Sequence, residues 1–256
     1  MILFKLTLLT LWVRKTWVII LLAMLLLPFV GPYIAPVEEA PKLMQPARAH
    51  TAWALAWLIG ILWGLSQGAK AGDGNARTGV GNLLRSMKIG GFRQMLGIWA
   101  ALMVFLVPLV LVAMLVSIFA AMPGAEVERD YWVATNLQFA FLQLLTLAPL
   151  VLLAIGLASR FGAMIGYVVP GALCLYGLYG VGYLGETIKL GGNPMLEWVY
   201  VISPQYHLAD LTPRLLFKMG ALKASDFTTY VGYFLILGFV MLAVSRLSFR
   251  TEPLRS

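Results

Sequence analysis

His207 and Asp210, three residues apart, are the pair in this chain best spaced for chemistry: an imidazole and a carboxylate one helical turn apart can share a proton or ligate a metal. Zinc needs three or four such ligands, and no third accompanies them, so surface hydrogen bonding is the expected role. Glu38 and Glu39 sit in a proline-flanked stretch rather than on an apolar helix, which argues against an intramembrane protease. Gly72, Gly74, Gly79 and Gly81 invite comparison with a phosphate-binding loop, but no Gly-Lys-Ser/Thr follows them and no strand precedes them. There is no Gly-x-Ser-x-Gly and no His-Glu-x-x-His. Cys174 is a lone cysteine in an apolar run, which excludes a disulfide framework and a zinc cluster. The 12 methionines are scattered singly, as packing residues are, rather than grouped for copper. No catalytic, cofactor or metal residue is expected.

The elements that carry these residues are built for lipid. Hydrophobic residues make up 61% of the chain and charged residues 12%, against roughly 45–50% and about 25% in soluble domains. A bilayer core of about 30 Å takes around 20 apolar residues in a helix. Six runs fit: 17–35, 51–68, 96–122, 132–158, 161–184 and 229–247. The second can extend back through Met44–His50, and the fourth and fifth form a tight helical hairpin at Ser159-Arg160. The expected fold is an all-α polytopic membrane protein in a single transmembrane domain. No cleavable signal peptide is convincing, so the first run is read as a retained span.

The formal net charge of +8 follows the spans instead of forming a nucleic-acid patch. With the N-terminus inside, the inner segments hold Lys5, Arg14 and Lys15; Lys70, Arg77, Arg85, Lys88 and Arg93; Arg160; and Arg246, Arg250 and Arg255. Only Asp73 and Glu252 oppose them there, while the outer segments hold most of the acids, including Glu126, Glu128 and Asp130. The positive-inside rule then places both termini in the cytoplasm. Residues 1–15 carry Leu3, Leu6, Leu9 and Val13 at helical spacing and read as an amphipathic interfacial helix, or else as an extension of the first span.

Three regions depart from plain spans. The 67–95 segment places Leu83, Leu84 and Met87 on one side of a short helix and Arg85 and Lys88 on another, between glycines that are expected to turn the chain. It suits a docking surface for a cytoplasmic partner, or a basic loop on anionic headgroups. In the outer 185–226 segment, Ser203-Pro204 and Thr212-Pro213 both look like helix starts, giving short helices that lie at or dip into the outer interface, and Asp226 looks like a cap for the last span. Within the spans, Asn136 and Gln143 share a face of the fourth, and Gly60 and Gly64 have small-xxx-small spacing in the second. Tyr176 and Tyr179 stand among the glycines of the fifth. These six are expected to pack helices or line a translocation path. Apart from Arg246 at the end of the last, the spans hold no charged residue, which disfavours a secondary carrier.

The stretch Arg77-Thr78-Gly79-Val80-Gly81-Asn82-Leu83-Leu84-Arg85-Ser86 is similar to the Arg-x-Gly-Thr-x-x-x-Leu-Leu stretch of type-2 ABC transporter permeases. Ile202-Ser203-Pro204-Gln205-Tyr206-His207, followed by Gly220, Asp226 and an apolar span ending at Arg250, resembles the same family. The exporter class is meant, with its gliding-motility and copper-site-maturation relatives. Asn75-Ala76 stands where relatives carry an acidic residue, and Met87-Lys88 where they commonly carry proline. The resemblance implies a homodimer or pseudodimer in the bacterial inner membrane, bound to two cytoplasmic ATPase subunits that hold the ATP and magnesium. It assigns coupling to Leu83, Leu84, Arg85, Met87 and Lys88, and leaves room for a periplasmic or extracellular accessory protein. The alternative is a membrane-embedded enzyme or assembly factor using His207 and Asp210 at the outer surface.

Overall fold

The computed structural model describes residues 2–34, 41–191 and 193–252, and among them it is helical with no strand. Five of its helices are long and apolar enough to cross a membrane: Gln45–Arg77, Gly91–Ala120, Glu126–Phe161, Ala163–Gly191 and Ala224–Ser248. A sixth crossing is available from α1 (Ile2–Arg14) and α2 (Thr16–Ile34), which meet at a 63° bend. The chain is a multi-pass, all-α membrane protein. The helices overrun the expected spans. The Glu126–Asp130 stretch, expected as loop, is the first turn of its helix. The fourth-to-fifth turn falls on Gly162 at φ 93, a conformation that favours glycine, and not on Ser159-Arg160.

Lys15, at φ 54, makes the elbow between α1 and α2, where Trp12 stacks on Trp17 at 4.8 Å. The inward side of α1 is Leu3, Leu8 and Leu11, while Leu6, Leu9 and Val13 face outward. The expected Leu3–Leu6–Leu9–Val13 stripe is therefore split, and both sides of α1 are apolar. Gly97 lets the α1 backbone approach, and Arg14 reaches Gln67 at 3.3 Å.

The chain continues through α3 (Pro41–Ile59), a π-helical turn at Gly60–Gly64 and α4 (Leu65–Arg77) as one long rod. Next come α5 (Val80–Ser86), α6 (Gly91–Leu115) with its π-helical end Val116–Ala120, and α7 (Glu126–Phe161). The following rod joins α8 (Ala163–Leu175), a π-helical turn at Tyr176–Gly180 and α9 (Val181–Gly191). Then α10 (Pro194–Ile202), a 3₁₀ turn at Tyr206–Ala209, α11 (Thr212–Leu216) and α12 (Ala224–Ser248) complete the chain.

The central rod is α7, with α4, α6, α8 and α12 packed on it. Glycines set those contacts. A Cβ at Gly60 would enter Leu147, one at Gly64 would crowd Leu106, and one at Gly68 would touch Val151 and Ile155. At Gly72 it would meet the Ile155 backbone itself. On the far side of α7, Gly156 lies against the Ser245 backbone of α12, and Gly238 of α12 lies against Pro149. Gly166 of α8 fits over Ala154 and Ala158. Lipid offers no hydrophobic gain for bringing apolar helices together, so close backbone approach and dispersion carry the association. Gly72 and Gly74, expected to open a loop, thus sit inside a helix; Gly72 is there for contact.

Gly72→Val should lower the thermal midpoint in detergent and cost at least about 2 kcal/mol, because backbone must move to admit it. Gly74 meets nothing within 4 Å, so Gly74→Ala should hold or raise the midpoint through helix propensity alone, by up to about 1 kcal/mol. Equal losses in both variants would refute the backbone-contact account.

Candidate functional site

The most organised polar cluster lies where α4 ends, α5 turns and α6 begins. Gly79 takes φ 77 and swings the chain from α4 into α5. The end of α5 is fixed by two hydrogen bonds: Lys88 N–H donates to the Arg85 carbonyl at 2.9 Å, and Ile89 N–H to the Leu84 carbonyl at 2.9 Å. This is the glycine-type helix stop, with Lys88 at φ 63 where glycine is usual. Proline cannot adopt that φ and has no N–H to donate, so proline would not fit at Lys88.

Gln94, fully buried in the first turn of α6, ties the region together. Its Oε1 accepts from Asn75 Nδ2 of α4 at 3.0 Å, and its Nε2 donates to the carbonyls of Gly81 at 3.1 Å and Ile89 at 2.9 Å. Asn75 is also buried, which explains an amide rather than a carboxylate here: a buried charge would need a partner. Gly81 has no room for a Cβ, since the Thr251 and Asn75 carbonyls lie against it. The C-terminal segment is itself pinned to α7 through Arg250 N–H donating to Ser159 Oγ at 3.0 Å.

This anchoring sorts the residues to which the resemblance assigns coupling. Leu84 is buried and holds α5 to the body, whereas Leu83 and Met87 are 62% and 55% exposed. Arg85, Lys88 and Phe92 are exposed beside them. Arg85 lies 3.6 Å from Glu252, an exposed pair of little energetic consequence. The outward surface of α5 is therefore Leu83 and Met87 framed by Arg85 and Lys88, with Leu84 beneath. Burial is the signal that the sequence could not supply.

The other singled-out residues sit elsewhere. Gly60 and Gly64 make contacts within the chain. Asn136 Oδ1 accepts from Trp53 Nε1 at 2.8 Å, a bond between α3 and α7 that accompanies the Trp53–Phe139 stack. Gln143 is fully buried, and its amide has no hydrogen-bond partner among the described residues. Tyr176 Oη lies 2.8 Å from Ser203 Oγ, while Tyr179 is exposed.

Ser203-Pro204 is not a helix start. Ser203 ends α10, and the chain turns at Pro204–Tyr206 between Gly177 of the fifth rod and Phe234 and Met241 of α12. Backbone inside a bundle needs partners. Here Gln205 N–H donates to Tyr233 Oη at 2.8 Å, Ser203 Oγ donates to the Val199 carbonyl, and Gln205 Nε2 donates to the Tyr200 carbonyl. Thr212-Pro213 does begin α11, but Leu211 stands at the cap position with no side-chain bond, and Asp210 Oδ1 just before it accepts from Thr212 N–H at 3.0 Å. Burial pushes the His207 imidazole below its ordinary value, against a backbone hydrogen bond at Gly177, and among the described residues its buried Nδ1 has no partner. Among the described residues His207 and Asp210 share no hydrogen bond or ion pair. Asp226 lies in the first turn of α12 behind Lys223, and the cap it was expected to form is not made.

No family model, no curated protein and no solved structure matches this chain.

Replacing Gln94 with leucine should free α5 without unfolding the rods. It strands the Gly81 and Ile89 carbonyls, at about 1–3 kcal/mol each. Amide hydrogen exchange across residues 80–90 should quicken at least tenfold while exchange in the α7 core stays slow. Unchanged protection across 80–90 would refute the role given to Gln94.

Proposed function

We propose that this chain is the permease subunit of an ATP-binding-cassette exporter, with α5 as the helix that receives a cytoplasmic ATPase. One observation carries the reading: α5 is a short helix held rigidly to three parts of the bundle, yet it presents Leu83 and Met87 bare. Exposed apolar side chains on a well-anchored element beyond the spans mark a protein contact. Arg85 and Lys88 around them suit a partner surface with acidic residues at its rim. The similarity of 77–86 and 202–207 to type-2 permeases supports the same assignment.

On this reading the subunit works as a homodimer or pseudodimer in a bacterial inner membrane, with both termini and α5 in the cytoplasm. Two ATPase subunits bind and hydrolyse ATP with magnesium, and their closure is transmitted through α5 to the spans. Substrate moves outward. The chain itself supplies no bond-breaking chemistry, binds no nucleic acid, and leaves its outer segment for a periplasmic or extracellular accessory protein.

The purified chain alone should hydrolyse no ATP, and gentle solubilisation of its native membranes should recover it with an ATP-binding-cassette ATPase. Leu83→Asp with Met87→Asp should cut recovery of that ATPase at least tenfold, while membrane insertion and thermal midpoint stay as in the parent chain. Undiminished recovery would refute α5 as the docking element. Leu84→Asp is the contrasting case: it should lower the midpoint, because the carboxylate would be buried.

A further inference from the structure

We infer that the cleft between the start of α6 and the end of α12 binds the headgroup phosphate of an anionic phospholipid. The cleft encloses about 840 Å³ and is lined by Arg85, Phe92, Arg246, Phe249, Arg250 and Glu252, with Gly90 and Gly91 at its back. Glu252 lies nearest Arg85, at 3.6 Å. Among the described residues neither Arg246 nor Arg250 has an ion-pair partner. Arg246 is held over the Phe92 ring at 5.3 Å, which orients its guanidinium while leaving the N–H groups free for a bidentate acceptor. The backbone turns at Gly90 into α6 with no side chain capping its first N–H groups, which adds positive potential at the back of the same cleft.

Two features select a lipid over a free anion. The cleft lies at the ends of two apolar rods, where headgroups meet hydrocarbon. Above Arg246, one heptad back along the same side of α12, Phe239 is 68% exposed, and only 11% of that rod's apolar window is buried within the chain. Acyl chains anchored by a phosphate at Arg246 and Arg250 would cover this bare flank; a lone phosphate would leave it bare. Phe92 and Phe249 at the cleft give the glycerol region an apolar floor. Lipid phosphate at basic pockets beside membrane helices is favoured by the same charge logic that keeps arginines on one side of the bilayer. The inference rests on the membrane fold and not on the ATPase assignment, so it can fail or stand separately.

The test uses the purified full chain in neutral detergent, without any ATPase. Phosphatidylglycerol in the micelles should raise the thermal midpoint by about 5 °C at saturation, and native mass spectrometry should retain one such lipid per chain. Phosphatidylcholine with identical chains should give less than a third of that shift, and inorganic phosphate none. Arg246→Gln with Arg250→Gln should abolish the shift and the retained lipid, and the single Arg250→Gln, whose side chain is exposed, should weaken both. Arg→Lys at both positions should keep part of each. An equal shift with phosphatidylcholine, a shift with inorganic phosphate alone, or a phosphatidylglycerol shift that survives both glutamines would overturn the inference.

Discussion

The close approach of α4 to α7 is the constraint on which the rest of the molecule depends. Gly60, Gly64, Gly68 and Gly72 recur every four residues along one rod, and three of them have α7 as their neighbour while Gly64 meets α6. In water such glycines would weaken a helix by about 1 kcal/mol each relative to alanine. In hydrocarbon the helix is held by its own hydrogen bonds, because unsatisfied backbone has no alternative partner, so the penalty shrinks and the gain in contact remains. The π-helical turn falls on the first two members of the ladder, Gly60 to Gly64. It offsets the rod at that point and lets Gly60 meet Leu147 and Gly64 meet Leu106 on a different helix. The same device recurs on the other side of α7, where Gly156 admits Ser245.

Polar groups complete what the glycines begin. Trp53 and Asn136 join α3 to α7 near one end of the rods, and Gln94 with Asn75 joins α6 to α4 near the other. Tyr176 and Tyr233 supply hydroxyls to the corner at Ser203–Gln205. Each of these bonds sits where a helix starts, stops or crosses close to another, which is where backbone groups or side-chain amides would otherwise go unpaired. Among the described residues the buried Gln143 amide, deep in α7, has no hydrogen-bond partner, and neither have the buried Asn75 Oδ1 and Ser117 Oγ.

The sequence made the rods legible because a single property, hydropathy over about 20 residues, decides them. It was weaker where one residue type serves two purposes. Gly72 and Gly74 look the same in a sequence; a turn and a close helix contact both call for a missing side chain, and only the position of Ile155 distinguishes them. Leu83, Leu84 and Met87 read as one face because helical spacing gives angles but no neighbours; the C-terminal segment at Thr251, distant in sequence, lies against Gly81 on the side Leu84 occupies. Ser203-Pro204 carries the composition of a helix start and serves as a helix end, since Tyr176 and Tyr233 from other elements take the polar groups that a cap would have taken. The N-terminal stripe is split for a related reason: in lipid both sides of α1 can be apolar, so periodicity no longer marks the one packed on the bundle.

These connections give the transport reading a physical route. α5 is not a loose docking peg. Gln94 bonds its Gly81 carbonyl, Thr251 lies against it, and Arg250 next to Thr251 hangs on Ser159 of α7. A force applied at Leu83 and Met87 therefore reaches α4, α6 and α7 through hydrogen bonds and backbone contacts, with few rotatable side chains to absorb it. From Arg77 back to Leu65, α4 is uninterrupted helix, and the first break in its pattern is the π-helical turn at Gly60–Gly64. Stiff material on the α5 side and a change of hydrogen-bond register at that turn would concentrate bending there. On the proposed transport reading, a push at α5 would travel along α4 and bend the rod at this turn, which is how a separate ATPase would move the spans.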